Sequence, residues 1–283
     1  MKRIFLVILA LLLLGAAELF RSNAIVGVTH YQLALSELPE AFSGFRIVQL
    51  SDLHNREFSG LEEKIARERP DLVVMTGDMV SASDRDFSAF LTLAQRVAAQ
   101  FPTYYIVGNH EQALPRAALA ELTARLADAG VVILDNRAVQ ITRGGAHINL
   151  YGLWFNLRFY RDKNDARTAD YIFGVREMEK ILGSAPRGEC NLLLTHNPVY
   201  FDAYAQWGAA LTLCGHMHGG MVRIPGCGGL LSPEKEYFPQ YDAGLFTLGD
   251  AQMLVSRGLG ESAGLRFLNP PELIVIDLTK KGT

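Results

Sequence analysis

Five of the seven histidines in this chain, His54, His110, His196, His216 and His218, stand beside Asp, Asn or Gly at the ends of short apolar runs. His30 and His147 do not, and they read as ordinary residues. The densest group is Cys214-Gly215-His216-Met217-His218-Gly219-Gly220, which closes the apolar run 209–214. That pattern reads as a buried strand opening into a glycine-rich loop. On extended backbone, residues i and i+2 project to one side, roughly 6–7 Å apart. Two imidazoles so placed suit a pair of metal ions about 3.5–4 Å apart, and suit equally a hydrogen-bonded pair in a loop. Ser51-Asp52-Leu53-His54 repeats the spacing, so Asp52 and His54 either reach one cation or form an ordinary turn. Gly77-Asp78, Gly108-Asn109-His110-Glu111 and Thr195-His196-Asn197-Pro198 end three further apolar runs. Carboxylate, amide and imidazole groups converging from separate strand ends are the make-up of one metal site.

The elements that would bring these groups together are legible as alternating runs. Strand-like stretches at 45–50, 71–76, 103–107, 191–194 and 209–214 each deliver one motif. Between them, 61–69, 87–100, 115–129 and 171–182 have helical spacing, with Pro70 and Gly130 as stops. Further strands are expected at 25–35, 131–134, 139–141, 148–153, 252–256 and 273–278, and an ordered loop through residue 239 after Pro225. The alternation predicts a layered α/β domain with its polar residues at the carboxyl ends of strands, where open sheets place ligands. From Trp154 to Arg167 the chain turns aromatic and basic, with Phe155, Arg158, Phe159, Tyr160, Arg161 and Lys163. Two readings of that segment stand side by side. It is a loop that holds an anionic or lipid-like substrate or rests on headgroups, or a solvated face with aromatics packed beneath it.

A chain of 283 residues, half of them hydrophobic, can bury one large core without splitting into several domains. Its formal charge is -3, and no Lys/Arg run resembles a nucleic-acid footprint, so duplex nucleic acid is not an expected partner. Cys190, Cys214 and Cys227 lack Cys-x-x-Cys spacing, which argues against a zinc ribbon or a disulfide framework. Buried thiols are expected, with a Cys214–Cys227 bridge as the alternative in an exported domain. At the N-terminus, Lys2 and Arg3 precede an apolar run over 4–17 that Leu19 and Phe20 extend past Glu18. That is the length of a signal-peptide core and, extended, of a membrane span. Without a clean Ala-x-Ala site, the reading is an uncleaved signal anchor over residues 1–22 and a catalytic domain over 23–283. The positive N-terminus puts that domain on the extracytoplasmic side; secretion after cleavage is the alternative.

The order Asp-x-His, Gly-Asp, Gly-Asn-His-Glu, His, Gly-His-x-His resembles the calcineurin-like metallophosphoesterase superfamily, from about residue 45 to the C-terminus. Ser51-Asp52-Leu53-His54, the apolar start, and the tail Ser256-Arg257-Gly258-Leu259-Gly260 with Pro270-Pro271-Glu272-Leu273 are similar to its small bacterial branch. That branch includes cell-wall-associated phosphodiesterases and UDP-2,3-diacylglucosamine hydrolases. The resemblance implies a layered β-sandwich flanked by helices, carrying two divalent metal ions. By position, Asp52, His54 and His218 would bind one ion, Asn109, His196 and His216 the other, and Asp78 would bridge them. His110 would lie just outside, over the substrate, as the catalytic acid. Two departures bear on tuning rather than on ligands: Glu111 stands where many relatives have Asp, and no second Asp follows Gly77-Asp78 closely.

Such a set is chemically coherent. Two dications against Asp52, Asp78 and a bridging hydroxide leave a cationic centre that attracts a phosphate diester. The hydroxide would attack phosphorus directly, and His110 would protonate the leaving oxygen or donate to a phosphoryl oxygen. Mixed N/O ligands suit Mn, Fe or Zn. The expected function is therefore membrane-anchored hydrolysis of phosphodiester or pyrophosphate bonds, with a lipid- or cell-wall-linked substrate as one option. The alternatives are a phosphomonoesterase, including a phosphoprotein phosphatase, and a non-catalytic metal-binding surface protein.

Overall fold

Strands covered on both faces need nearly unbroken apolar sequence, and the central strands of this chain have it. The computed structural model describes residues 2–160, 173–233, 235–260 and 266–282. Its strands are β1 (Gly27–Leu35), β2 (Phe45–Leu50), β3 (Leu72–Thr76), β4 (Thr103–Ile106), β5 (Val132–Ile133), β6 (Ala138–Arg143), β7 (Ala146–Leu153), β8 (Asn191–Thr195) and β9 (Leu211–Cys214). They continue as β10 (Arg223–Ile224), β11 (Gly228–Gly229), β12 (Gly244–Leu248), β13 (Ala251–Val255) and β14 (Glu272–Lys280). The helices are α1 (Lys2–Ala24), α2 (Leu61–Glu68), α3 (Ser88–Ala98), α4 (Asn109–Gln112), α5 (Arg116–Asp128), α6 (Val175–Leu182) and α7 (Phe201–Trp207).

Among the described residues the strands form two six-stranded sheets, ordered β1-β14-β2-β3-β4-β5 and β12-β13-β9-β8-β7-β6, with β10 and β11 as a separate short pair. The period of two shows which side chains face which layer. Phe45 and Ile47 of β2 and Leu72 and Val74 of β3 meet Leu192, Leu194, Leu211 and Leu213 of the second sheet in a buried core between the sheets. Val48, Leu50, Val73 and Met75 point the other way, onto Ile65 of α2, Phe90 and Ala94 of α3 and Leu122 of α5. On the far side, Tyr151 and Leu193 pack with Met178 of α6 and Tyr204 and Trp207 of α7. The result is the predicted α/β sandwich flanked by helices. Strands β2 to β5 run parallel, as do β7, β8, β9 and β13, so each set has its carboxyl ends along one rim.

Several expectations need correction. The strand ending at Cys214 starts at Leu211, not 209. Helix α7 was not anticipated; it is about two turns long, too short to hold together by propensity, and it forms because Phe201, Tyr204 and Trp207 are buried. Edge strand β12 was missed as well, since its residues are half-buried or exposed and carry no strong alternation. The loop expected after Pro225 holds β11, paired antiparallel with β10. Helix α6 begins at Val175, and the expected start at Tyr171 lies outside the described residues. All three cysteines are free; Cys190 and Cys214 are buried as expected, but Cys227 is exposed.

Of the aromatic-basic segment, Arg161, Lys163 and Arg167 lie outside the described residues. Phe155 and Phe159 are buried in a cluster with Phe173, which is the packed-aromatic reading. At its edge, the Tyr160 ring stands 5.2 Å from that of His216.

Candidate metal centre

Every anticipated site residue follows the carboxyl end of a strand: Asp52 and His54 after β2, Asp78 after β3, Asn109 and His110 after β4, His196 after β8, His216 and His218 after β9. Because these strands run parallel within each sheet, the rims of both sheets meet there. Two side chains, Gln49 and His196, tie the sheets together just beneath. Gln49 Nε2 donates to Thr76 Oγ1 (3.0 Å) and to the Cys214 carbonyl (2.8 Å), and His196 Nδ1 donates to the Thr76 carbonyl at 2.7 Å.

The i, i+2 pairs converge by a different route from the one expected. Asp52, His54, Asp78, His216 and His218 all have φ between 49° and 71°, the left-handed region. A non-glycine residue there costs on the order of 1 kcal/mol or more, and such conformations gather at functional sites. The backbone thus coils sharply at the rim instead of running on extended, and His216 and His218 turn toward different partners. Close backbone approach makes this possible. A Cβ on Gly108 would collide with the Asp78 carboxylate, and one on Gly215 with Ser51 and Asp52.

The donor atoms fall into three groups, two of which contain Asp78. Ligand atoms of Asp52, His54 and His218 lie within 4.8 Å of one another, and so do those of Asp78, His196 and His216. Asp78 also groups with His54 and His110. His54 Nε2 is 3.3 Å from His218 Nε2, and Asp52 Oδ1 is 3.4 Å from His218 Nε2 and 3.7 Å from His196 Nε2. Asp78 Oδ2 lies 3.0 Å from His196 Nε2. Asp52, Asp78 and His196 are at most 1 % exposed.

Electrostatics match a cation site. Burial, then the neighbouring His218, lower His54 to about 3, and burial holds His218 well below the usual range, so both rings are neutral and offer lone pairs. Burial opposes charge on His196 too, but the Asp78 and Asp52 carboxylates outweigh it and raise the ring to about 10. Burial likewise opposes ionisation of Asp78, yet His196, by its charge and its hydrogen bond, holds that carboxyl well below normal. Two buried carboxylates call for positive charge, and in the protein alone a proton on His196 supplies part of it. The fit to metal rests on one orphaned atom and the imidazole beside it. Asn109 Oδ1 is buried without a hydrogen-bond partner among the described residues, while His196 Nδ1 is fixed as a donor by Thr76 and its Nε2 faces the Asp78 carboxylate at 3.0 Å. An acceptor oxygen and an imidazole nitrogen aimed into a carboxylate-lined space are what a divalent transition metal takes.

His110 differs from the others. Its side chain is 25 % exposed, at the mouth, with Nε2 4.0 Å from Asp78 Oδ2. Its Nδ1 accepts the Ala82 N–H at 3.1 Å, so in the neutral ring the proton sits on Nε2, facing the site.

Residues with no assigned role in the sequence brace the centre. Glu111 is fully buried and accepts four backbone N–H groups: Asp78 (2.9 Å), Met79 (2.6 Å), Val80 (3.2 Å) and Gly108 (2.8 Å). Burial and the Asp78 charge push its carboxyl up to about 7; the four donors oppose that shift and favour the ionised form. On the other side, Leu259 N donates to Ser51 O at 2.9 Å and Gly260 N to Asp52 O at 2.6 Å. The Arg257-Gly258-Leu259-Gly260 tail is thus the brace of the Asp52 turn. Arg266, fully buried, donates to the carbonyls of Arg257 (2.7 Å) and Gly260 (2.5 Å), and Asn269 Nδ2 donates to His218 O at 2.6 Å. Nothing in the sequence around Arg266 signals that role. Asn269 adjoins the Pro-Pro-Glu tail, which was a usable pointer.

An α/β sandwich with a buried Asp/His/Asn centre at one rim defines a metal-dependent hydrolase. The profile of the calcineurin-like phosphoesterases matches residues 45–220, and this chain belongs to that family as a metallophosphoesterase. It is 30% identical over 244 residues to the phosphodiesterase YaeI of Escherichia coli, covering 83% of this chain and 82% of that protein. It is 28% identical over 265 residues to the metallophosphoesterase YkuE of Bacillus subtilis, covering 89% and 85%. A dimetal phosphatase from Danio rerio has a similar solved structure, with TM-score 0.44 and 15% identity over 76% of this chain and 88% of that one.

Proposed function

We propose that the chain hydrolyses phosphodiester or pyrophosphate bonds with two divalent cations. Asp52, His54 and His218 would hold one, Asn109, His196 and His216 the other, and Asp78 would contribute to both. The observation that carries this reading is the position of Asp78, which shares a ligand-sized space with His196 and His216 on one side and with His54 on the other. When bound, such ions neutralise phosphoryl oxygens and lower the pKa of water held between them. The donor set, neutral imidazoles and an amide with two carboxylates, leaves the centre positive toward an anionic ester. It suits Mn, Fe or Zn. His110 presents the Nε2 proton at the mouth, where it donates to a phosphoryl or leaving oxygen.

The anchoring reading belongs to the same proposal. Helix α1 has 23 residues, about 34 Å at 1.5 Å each, which spans a bilayer core of about 30 Å. Its leucines and isoleucines are exposed along its length. Residues 1–22 then form the anchor and 23–283 the catalytic domain, extracytoplasmic because Lys2 and Arg3 stay inside. Turnover of bis-p-nitrophenyl phosphate against the monoester tests the chemistry. Cleavage of the diester, abolished by chelation and restored by Mn, is the expected result. Cleavage of the monoester alone would make the chain a phosphomonoesterase.

A further inference from the structure

The end of α1 is not a free tether. Ser22, the one buried residue of that helix, accepts the Asn269 N–H on its Oγ at 3.1 Å, and Glu18 Oε1 accepts the Leu268 N–H at 3.1 Å. Asn23 exchanges two bonds with Arg266, donating to its carbonyl at 2.9 Å and accepting its N–H at 3.1 Å. Arg56, two residues past His54, donates to the Asn23 carbonyl. The same segment 266–269 supports the metal centre through Asn269 and His218. One residue, Asn269, therefore touches both the helix end and a candidate ligand.

Segment 266–269 also carries a second feature. Phe267 is pinned between Met221 and Arg223, donating to one (3.4 Å) and accepting from the other (3.1 Å). These residues open a loop cluster within 221–239, described over 221–233 and 235–239, which contains β10 and β11. Outside α1, the large hydrophobics most exposed among the described residues include Tyr237 (71 %) and Phe238 (54 %), both in this cluster, with Ile224 also exposed. Lys235 is exposed beside them, with the half-buried Glu236 between it and Tyr237. Exposed aromatics with a lysine, next to the exit of an apolar helix, are the composition of a membrane–water interface.

We propose that cluster 221–239 and the last turn of α1 form a membrane-contact face, with Tyr237 and Phe238 seated in the headgroup region, so that the His218 side of the centre is held at the bilayer surface. This rests on the anchoring reading above. The partner is a lipid bilayer: backbone hydrogen bonds run from the segment that holds the helix end through Phe267, Val222 and Leu230 to Phe238, and the chemistry of the cluster is interfacial rather than uniformly apolar.

Native Cys227 lies in the turn between β10 and β11 and is exposed, whereas Cys190 and Cys214 are buried. An environment-sensitive maleimide fluorophore therefore labels the face in the full chain, reconstituted into phosphatidylcholine/phosphatidylglycerol vesicles with or without headgroup-proximal doxyl lipid. The expected result is at least about a twofold loss of emission with the doxyl lipid, as for a probe at the headgroup–acyl boundary. The Cys227→Ser, Leu248→Cys chain, labelled on β12 at the opposite rim, should lose none. Tyr237→Ser with Phe238→Ser should weaken quenching at Cys227 and leave turnover of bis-p-nitrophenyl phosphate unchanged.

If the chain floats with vesicles but Cys227 is not quenched, or if Leu248→Cys is quenched equally, the contact face is wrong while anchoring stands. Shielding that follows protein concentration and not lipid would assign the face to a second copy and overturn the proposal. Failure to float overturns the anchoring reading and this inference together, without touching the diesterase assay.

Discussion

The two halves of the candidate metal centre are held by different means. Around Asp78, one buried carboxylate does the work: Glu111, two residues past Asn109, gathers four N–H groups from two loops. Around Asp52 and His218 the support comes from far along the chain, through Gly258, Leu259, Gly260, Arg266 and Asn269. The first half is a local motif that folds with its own strands. The second is assembled only when the C-terminal segment closes over β2, β9 and the end of α1, which couples that half to the rest of the molecule.

The sharpest way to break this contrast is Glu111→Ala. It leaves four buried donors without an acceptor, at on the order of 4 kcal/mol, so the melting temperature should fall by roughly 10 °C. Glu111→Gln should not rescue it, because the amide NH2 faces donors. A shift of a degree or two in scanning calorimetry would show that the carboxylate is not the clamp.

Next in size is Asn269→Ala, which removes the hold on His218 but no candidate ligand. Loss of such an outer contact lowers metal affinity about 10–100-fold. Calorimetric titration should show one of two metal sites weakened and the other unchanged. Equal weakening of both would erase the distinction between the halves.

The smallest effect concerns Glu272, which accepts from Arg257 Nη2 (2.7 Å), Arg257 N (3.1 Å) and Thr29 Oγ1 (2.6 Å). Burial opposes its charge, but Arg257 and then Thr29 hold its carboxyl below the ordinary 4.5. A depressed folded pKa stabilises above the unfolded value and loses that contribution as pH falls through the folded one. Wild type should therefore exceed Glu272→Gln by about 1 kcal/mol at pH 7, and the gap should close below pH 4.5. Denaturant melts at several pH values measure it; a gap that widens in acid would contradict the assignment.

The same contrast explains what could be read from sequence. The half around Asp78 was legible because strand, ligand and support are contiguous: an apolar run, then Gly108-Asn109-His110-Glu111. Asp52 and His218 were visible as chemistry, but their supports were not. Arg266 lies far from both in sequence, and its value comes from burial beside backbone carbonyls that only tertiary structure brings near. The left-handed turns at Asp52, His54, His216 and His218 were misread for a related reason. Spacing of two reports extended backbone by default, and nothing in the residue types marks a strained turn when no glycine occupies it. Edge strand β12 and helix α7 escaped because both form through neighbours and not through their own pattern.

The central claim is that Asp78 serves two cations at once. Titrating metal-free protein with Mn while following bound metal per chain tests it directly, alongside Asp78→Asn. Two equivalents bound by wild type, with neither held tightly and diesterase activity lost in Asp78→Asn, is the predicted result. A single equivalent in wild type, or two retained with full activity in the variant, would contradict it.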